Sequence, residues 1–353
     1  MKKIVIIAAA ACVTFASCVK NEPGAALAGQ SDEKITFESP ILAPNVKAVA
    51  GYTAGNLNTD ATFKVWGILT PAQIASTGLT ETLVTNNKYI DQATVAYASN
   101  EWSAGNYYWP QNGYISFVGY LPSAPAFGDF SVTEAGVQIA DYTTDGDEDL
   151  LVSEIIYDQT KQTAATGVQM VFKHALSALK FTVATNLEDM TITLKSITLK
   201  DVYKKGDFNQ GLSDTKLLMG DAKDSEGNVV NACWTAEGEK DDYPIYTGTQ
   251  TITDSPFKTA GDAIDLIVVP QTLDQYVEVE VVYNLKSNTM VGDGVDQTVS
   301  APLLVAGVPT AWYRGYCYTY NLNIHLDKIT FSPTVEDWKD GGEGTIVERP
   351  QFN

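Results

Sequence analysis

Residues 168–183 read VQMVFKHALSALKFTV, and how this stretch is parsed decides the fold. Val168, Met170 and Phe172 alternate with Gln169, Val171 and Lys173, the period of two of a strand with one face on a core. Ala175, Leu176, Ala178 and Leu179 then follow the spacing of one apolar face of a helical turn. Lys180-Phe181-Thr182-Val183 resumes the alternation. The pattern predicts two strand halves joined by a compact helical crossover, so that one segment serves two parts of a β structure. Phe172 and Phe181 are expected inside, with Lys173 and Lys180 facing outwards or lining an interface. The preceding DQTKQTAATG, residues 158–167, is polar and small, as a linker or long loop would be.

Outward from there, short alternating runs recur in both directions. Towards the N-terminus lie Ile35–Glu38, with Ile41-Leu42 past Pro40, then Phe63–Leu69, Tyr114–Tyr120, Val137–Ile139 and Asp149–Ile156. Residues 102–110, WSAGNYYWP, form an aromatic approach to one of them, best read as core and edge packing rather than as a sugar-binding surface. Towards the C-terminus lie Met190–Val202, two strand lengths long, then Asn231–Trp234, Ile245–Ile252 and Asp265–Val269. Val277–Tyr283, Tyr316–Leu326 and Ile329–Val335 complete the set. Short strands separated by Gly, Asp and Ser predict an all-β fold of sandwiches, here twice over. The one further helical pattern is Pro71–Ser76.

The chain has 353 residues, length for two ordinary domains. It carries 23 Lys and Arg against 43 Asp and Glu, a net charge of -20. That charge repels phosphate backbones and anionic membrane surfaces, which excludes nucleic acid as a partner.

The N-terminus reads as a targeting segment. Lys2 and Lys3 precede an apolar run from Ile4 to Ala16, of signal-peptide length and short for a membrane span. It ends in Phe15-Ala16-Ser17-Cys18, which resembles a bacterial lipobox, with Phe15 in place of the usual Leu. Residues 1–17 are then a lipoprotein signal peptide and Cys18 the lipidated first residue. Residues 18–34, small and polar, form a tether. Cys12 leaves with the signal, so Cys233 and Cys317 are the remaining thiols, either one disulfide or two buried free cysteines.

Chemistry is harder to find. His174 and His325 are the two histidines, neither with a second ligand at metal-binding spacing, and each reads as a hydrogen-bonded structural residue. No G-x-S-x-G elbow and no phosphate-cradling glycine loop after a strand is present. The acidic runs Asp145–Asp149 and Asp221–Asn228 each offer oxygen ligands for calcium, but the second lacks the spacing and distal Glu of a calcium loop, and both read as solvated turns. No metal, no cofactor and no catalytic set is expected.

Several motifs occur together in order: YWP at 108–110, ISFVGYLP at 115–122, DLL at 149–151, VQMVFKHALSALKF at 168–181, LIVVPQTL at 266–273 and YTYNLNIHLDKITFSPTVEDW at 318–338. With the lipoprotein signal, they resemble the fimbrillin (Mfa-like) family, the type V pilins of Bacteroidia, over essentially the whole mature chain. The resemblance implies two tandem transthyretin-like Greek-key β-sandwiches, residues 35–165 and 166–353. It implies a subunit of cell-surface fimbriae (stalk, anchor or tip) held to the outer membrane by lipid. Other pilin subunits would be its partners, joined by donor-strand exchange, with host or bacterial surface ligands conceivable at a tip. In the family, proteolysis after a basic residue removes the first strand. The matching segment is Ile35–Lys47, and Lys47-Ala48 is the corresponding bond, with Lys where the family commonly has Arg. The donor would come from the C-terminal region around Ile329–Val335. The alternative is a non-polymerising surface lipoprotein that binds glycans or other ligands.

Overall fold

The computed structural model describes residues 30–42, 52–53, 56–123, 128–210, 222–223, 229–230, 233–261, 263–289, 291–304, 310–326 and 328–337. Cys18, Lys47 and Ala48, and most of the acidic run at 221–228, lie outside these residues.

The chain opens with β1 (Gln30–Phe37), β2 (Ile41–Leu42), β3 (Tyr52–Thr53), β4 (Asn56–Leu57) and β5 (Thr62–Thr70). A short helix, α1 (Glu81–Asn86), leads to β6 (Lys88–Ala98), β7 (Glu101–Pro110) and β8 (Tyr114–Leu121). Next come the hairpin of β9 (Asp129–Thr133) and β10 (Gly136–Thr143), then β11 (Leu151–Ser153), β12 (Ile156–Gln159) and β13 (Val171–His174). The first sheet has the order β1-β7-β6-β5-β8-β11-β13-β2-β4-β3, with β12 also on β8.

Past the crossover run β14 (Ser177–Thr185), β15 (Met190–Asn209), β16 (Ala222–Lys223), β17 (Val229–Val230) and β18 (Trp234–Ile252). Then follow β19 (Phe257–Lys258), β20 (Leu266–Val268), β21 (Gln271–Thr272) and β22 (Glu278–Ser287). The last are β23 (Val295–Pro302), β24 (Ala311–Trp312), β25 (Tyr316–Ile324) and β26 (Ile329–Asp337). The second sheet is β23-β22-β15-β10-β9 with β18 on β15, and the third is β19-β14-β25-β26 with β20 on β14. The fold is thus almost entirely β, in several sheets, and no helix among the described residues is long and apolar enough to cross a membrane.

Three hydrophobic cores fill the spaces, and the stretch at 168–183 feeds all of them in sequence. Val168, Met170 and Phe172 enter a first core with Phe37, Phe63, Trp102 and Phe117. Ala175, Leu176 and Ala178 enter a middle core with Trp66, Tyr120, Phe208 and Trp234. Leu179, Phe181 and Val183 enter a third with Leu194, Ile197, Tyr318 and Tyr320. Phe172 and Phe181 are buried as expected, while Lys173 and Lys180 are half-buried.

The helical crossover is not there. β13 ends at His174 and β14 begins at Ser177, with a two-residue link between them that bends at Leu176 and is not helical. Its backbone groups are taken by distant partners: Ala175 N–H donates to Leu150 O at 2.7 Å, and Leu176 O accepts from Gly315 N–H at 2.8 Å. A helical turn would have needed those same groups for its own ladder.

Pro71–Ser76 is not helical either. The helix lies at Glu81–Asn86, capped by Thr80, whose hydroxyl accepts from Leu83 N–H at 3.3 Å. The amides of Ile74 and Ala75 instead donate to the carboxylate of Asp158, at 2.8 Å each. The first strand starts at Gln30 rather than Ile35, because Gln30 and Lys34 already pair with Pro110 and Tyr108 of β7. WSAGNYYWP proves to be a strand in its own right, its Trp102 and Trp109 turned into the first core.

The sheets do not change where the chain reaches residue 166. β13 stays in the first sheet, paired with β11, while the earlier β10 pairs with β15 of the second. β15 is one long strand with register shifts, which bend it enough for Ile192–Val202 to face the third core and Phe208 the middle one.

Candidate functional site: the strand that closes the first sheet

β1 lies antiparallel to β7, Thr36 opposite Ser103 and Phe37 opposite Trp102. On its other side the chain runs parallel to residues 168–172. Val168 N–H donates to Thr36 O at 2.9 Å, Glu38 N–H to Val168 O at 3.1 Å, and Ile41 N–H to Met170 O at 2.9 Å. β2 continues this with Ile41 opposite Val171 and Leu42 opposite Phe172. The residues from Gln30 to Leu42 therefore bridge β7 and β13, and the path of the first sheet returns on itself.

Ile35 is fully buried and Phe37 nearly so at 3% exposure. The Phe37 ring meets Phe63 and Phe117 edge-on, each at 5.7 Å between centroids. Two such side chains contribute roughly 1.5–3 kcal/mol of burial each. Lys34 Nζ pairs with Glu101 Oε1 at 2.9 Å on the solvent side. Glycine is required at 167: with φ at +131°, a Cβ there would sit 2.7 Å from Glu38 N. Removing Gln30–Leu42 would open a groove with apolar walls and unpaired backbone on both flanks.

The residues singled out for chemistry fall into structural roles. His174 Nδ1 lies 2.6 Å from Asp149 Oδ2, both side chains buried, and His325 Nε2 lies 3.0 Å from Thr330 Oγ1. Asp145–Asp149 is a turn as expected, with Asp147 N–H on Asp145 Oδ1 at 3.1 Å, but its last residue is buried. Sequence reasoning placed that carboxylate in solvent, and only the fold joins it to a histidine 25 residues away. It also missed Asp158, whose signal is nothing more than an Asp after Tyr157 in an apolar run.

Arg314 was passed over too. It is 3% exposed, with its guanidinium carbon 5.9 Å from the Phe208 ring centre. Burial pulls its pKa below the ordinary arginine range, against the opposing fields of Cys233 and Glu154. Burial, and then the Asp149 carboxylate, pushes the Tyr142 phenol far above its ordinary value. Cys233 and Cys317 are buried in the middle core, and neither is in a disulfide.

Among the described residues, the carboxylates of Asp141, Asp207 and Glu237 lie close enough together to hold a cation. All three are exposed, and the Lys205 ammonium already pairs with Asp141 and lies 3.9 Å from Glu237. The aromatic residues of β7 pack rather than project: Phe63 on Trp102 at 6.1 Å, Trp109 on Phe117 at 6.2 Å.

The described residues thus form an almost all-β frame whose first sheet is closed by its N-terminal strand. The family model described as fimbrillin-like matches residues 53–338, and the chain belongs to that family. A fimbrial protein from Bacteroides vulgatus ATCC 8482 superposes with a TM-score of 0.58 at 17% identity, covering 86% of this chain and 99% of its own. A candidate cell-adhesion protein from Bacteroides uniformis ATCC 8492 gives a TM-score of 0.50 at 14% identity, covering 87% and 99%. At these identities the likeness is one of fold. A comparison with curated proteins gave no match.

Proposed function

We propose that the protein is a structural subunit of cell-surface fimbriae that assembles by donor-strand exchange. In this reading it is exported to the outer membrane, lipidated at Cys18 and tethered through residues 18–34. Two transthyretin-like sandwiches, 35–165 and 166–353, would follow, with strands exchanged across that boundary: β10 joins the second sheet and β13 the first. Other pilin subunits are its partners.

The observation that carries this is the placement of Gln30–Leu42 between β7 and β13. The segment is hydrogen-bonded on both sides, buries Ile35 and Phe37, and ends shortly before the Lys47-Ala48 bond. Cleavage there would free a strand whose loss leaves a ready template for another. A sequence match supports the source of the replacement. Lys34-Ile35-Thr36-Phe37 at the end of β1 recurs as Lys328-Ile329-Thr330-Phe331 at the start of β26; Ser332-Pro333 follows the second directly, and Ser39-Pro40 follows the first after Glu38. β26 is an edge strand, so its departure disturbs one ladder only.

Immunogold electron microscopy of cells carrying wild-type or Lys47→Gln protein tests the reading. Labelled filaments are expected with the wild type and none with the variant. Filaments made equally well from Lys47→Gln protein would refute cleavage. Wild-type cells with surface label and no filaments would favour the non-polymerising, ligand-binding lipoprotein instead.

A further inference from the structure

The crossover between β13 and β14 is buried and held by four hydrogen bonds to residues distant in the chain. Ala175, Leu176 and Ser177 are all fully buried. Ala175 N–H donates to Leu150 O at 2.7 Å, and Ala175 O accepts from the Trp234 indole N–H at 2.6 Å. Leu176 O accepts from Gly315 N–H at 2.8 Å, and the Ser177 hydroxyl donates to Tyr313 O at 2.7 Å. One of these four partners precedes the crossover in the chain and three follow it. Their positions around the crossover hold it from both sides.

The surroundings repeat the pattern. Gln210 accepts from Val137 N–H at 2.8 Å through Oε1 and donates to Ser153 O at 2.9 Å through Nε2. Thr144 N–H donates to Lys204 O at 2.9 Å, and Ile267 N–H to Gly146 O at 2.7 Å. β10 is in ladder with β15 from Gln138 opposite Asn209 to Thr143 opposite Lys205. The middle core draws on both sides, with Trp66, Val118 and Ile139 packed in one cluster with Phe208, Trp234 and Val269.

We propose that the crossover is a fixed joint, and that the chain before it and the chain after it form one cooperative unit with no hinge between them. Parting the two would break a ladder, uncover a shared core and strand buried backbone groups, each of which opposes independent opening. A pull applied at one end of the molecule then reaches the other without a soft point. The joint does not involve β1, so it stands or falls separately from strand exchange.

Native-state hydrogen exchange on the full chain tests it, with the amides of β8 reporting on one side and those of β25 on the other. Both sets are expected to open together, with the same dependence on denaturant. Exchange of one set through a smaller opening that leaves the other protected would overturn the joint. Two variants extend the test. Trp234→Phe removes the indole donor and keeps an aromatic ring, and Ser177→Ala removes one hydroxyl from a site that needs no other change. Each is expected to speed exchange about tenfold in both sets, the scale of one lost buried hydrogen bond. Acceleration confined to one side, in whichever variant folds, would equally overturn it.

Discussion

His174 Nδ1 and Asp149 Oδ2 lie 2.6 Å apart, with the two side chains 7% and 0% exposed. Asp149 ends the acidic turn before β11, and His174 is the last residue of β13, opposite Leu151 in the ladder. His174 Nδ1 and Asp149 Oδ2 share this hydrogen bond, while the other carboxylate oxygen accepts from Leu150 N–H at 2.8 Å. The pair thus fixes the turn against the end of the strand that enters the crossover.

Replacing His174 by Ala leaves a buried carboxylate short of one partner. The expected cost is about 3–5 kcal/mol, the usual result of breaking a buried pair from one side. Asp149→Asn combined with His174→Ala should cost less than the sum of the single changes. A double-mutant cycle in urea measures this, and strict additivity would remove the coupling.

Phe172 faces Phe63 at 5.3 Å in the first core, and Phe181 stacks on Tyr320 at 5.6 Å in the third. Each Phe→Ala change should lower stability by about 3–5 kcal/mol. The readout is the denaturation midpoint, and an unchanged midpoint for either variant would mean that the ring is not in a core.

Asp158 holds the segment after β5 by accepting from two consecutive amides, Ile74 and Ala75. Asp158→Ala should destabilise that segment by about 1.5–3 kcal/mol, the range for hydrogen bonds to a charged group. Hydrogen exchange at Ile74 and Ala75 should accelerate while β8 amides stay slow. Equal acceleration throughout would show a global effect instead.

Lys240 Nζ sits between Asp201 at 3.0 Å and Asp274 at 2.5 Å. Partial burial works against the charge on Lys240, but the hydrogen bonds it donates to Asp274 and Asp201 outweigh it and raise its pKa. Burial likewise pushes Asp274 up and the Lys240 hydrogen bond overcomes it, so its pKa is lowered. A lowered carboxylate contributes stability above its unfolded value near ~4 and loses it as pH falls through the folded one. A raised lysine contributes below its unfolded value near ~10 and loses it as pH rises through the folded one. The cluster should therefore stabilise across the span between those limits. Lys240→Met should lower the melting temperature at neutral pH and change it less at pH 2–3. Equal losses at both pH values would assign the effect to packing.

Much of the strand inventory was legible because alternation survives in a chain with polar turns. Val277–Tyr283, Tyr316–Leu326 and Ile329–Val335 are strands close to where the period of two places them, and one face of each of the first two meets a core. The crossover was misread because Ala175, Leu176, Ala178 and Leu179 are apolar at helical spacing for another reason. They belong to two different cores, and periodicity reports how many residues are buried, not in which core.

By itself the sequence determined that this chain is built of β-strands, that 168–183 serves more than one part of it, and that it carries the motifs of its family. Those properties are local, set by side-chain period and by residues adjacent in the chain. The tertiary structure decided that Ala175–Ser177 is a non-helical, pinned link, that Asp149 meets His174, and that Gln30–Leu42 closes the first sheet. Each depends on hydrogen bonds between residues far apart in the chain, whose free energy exists only once the sheets have brought them together.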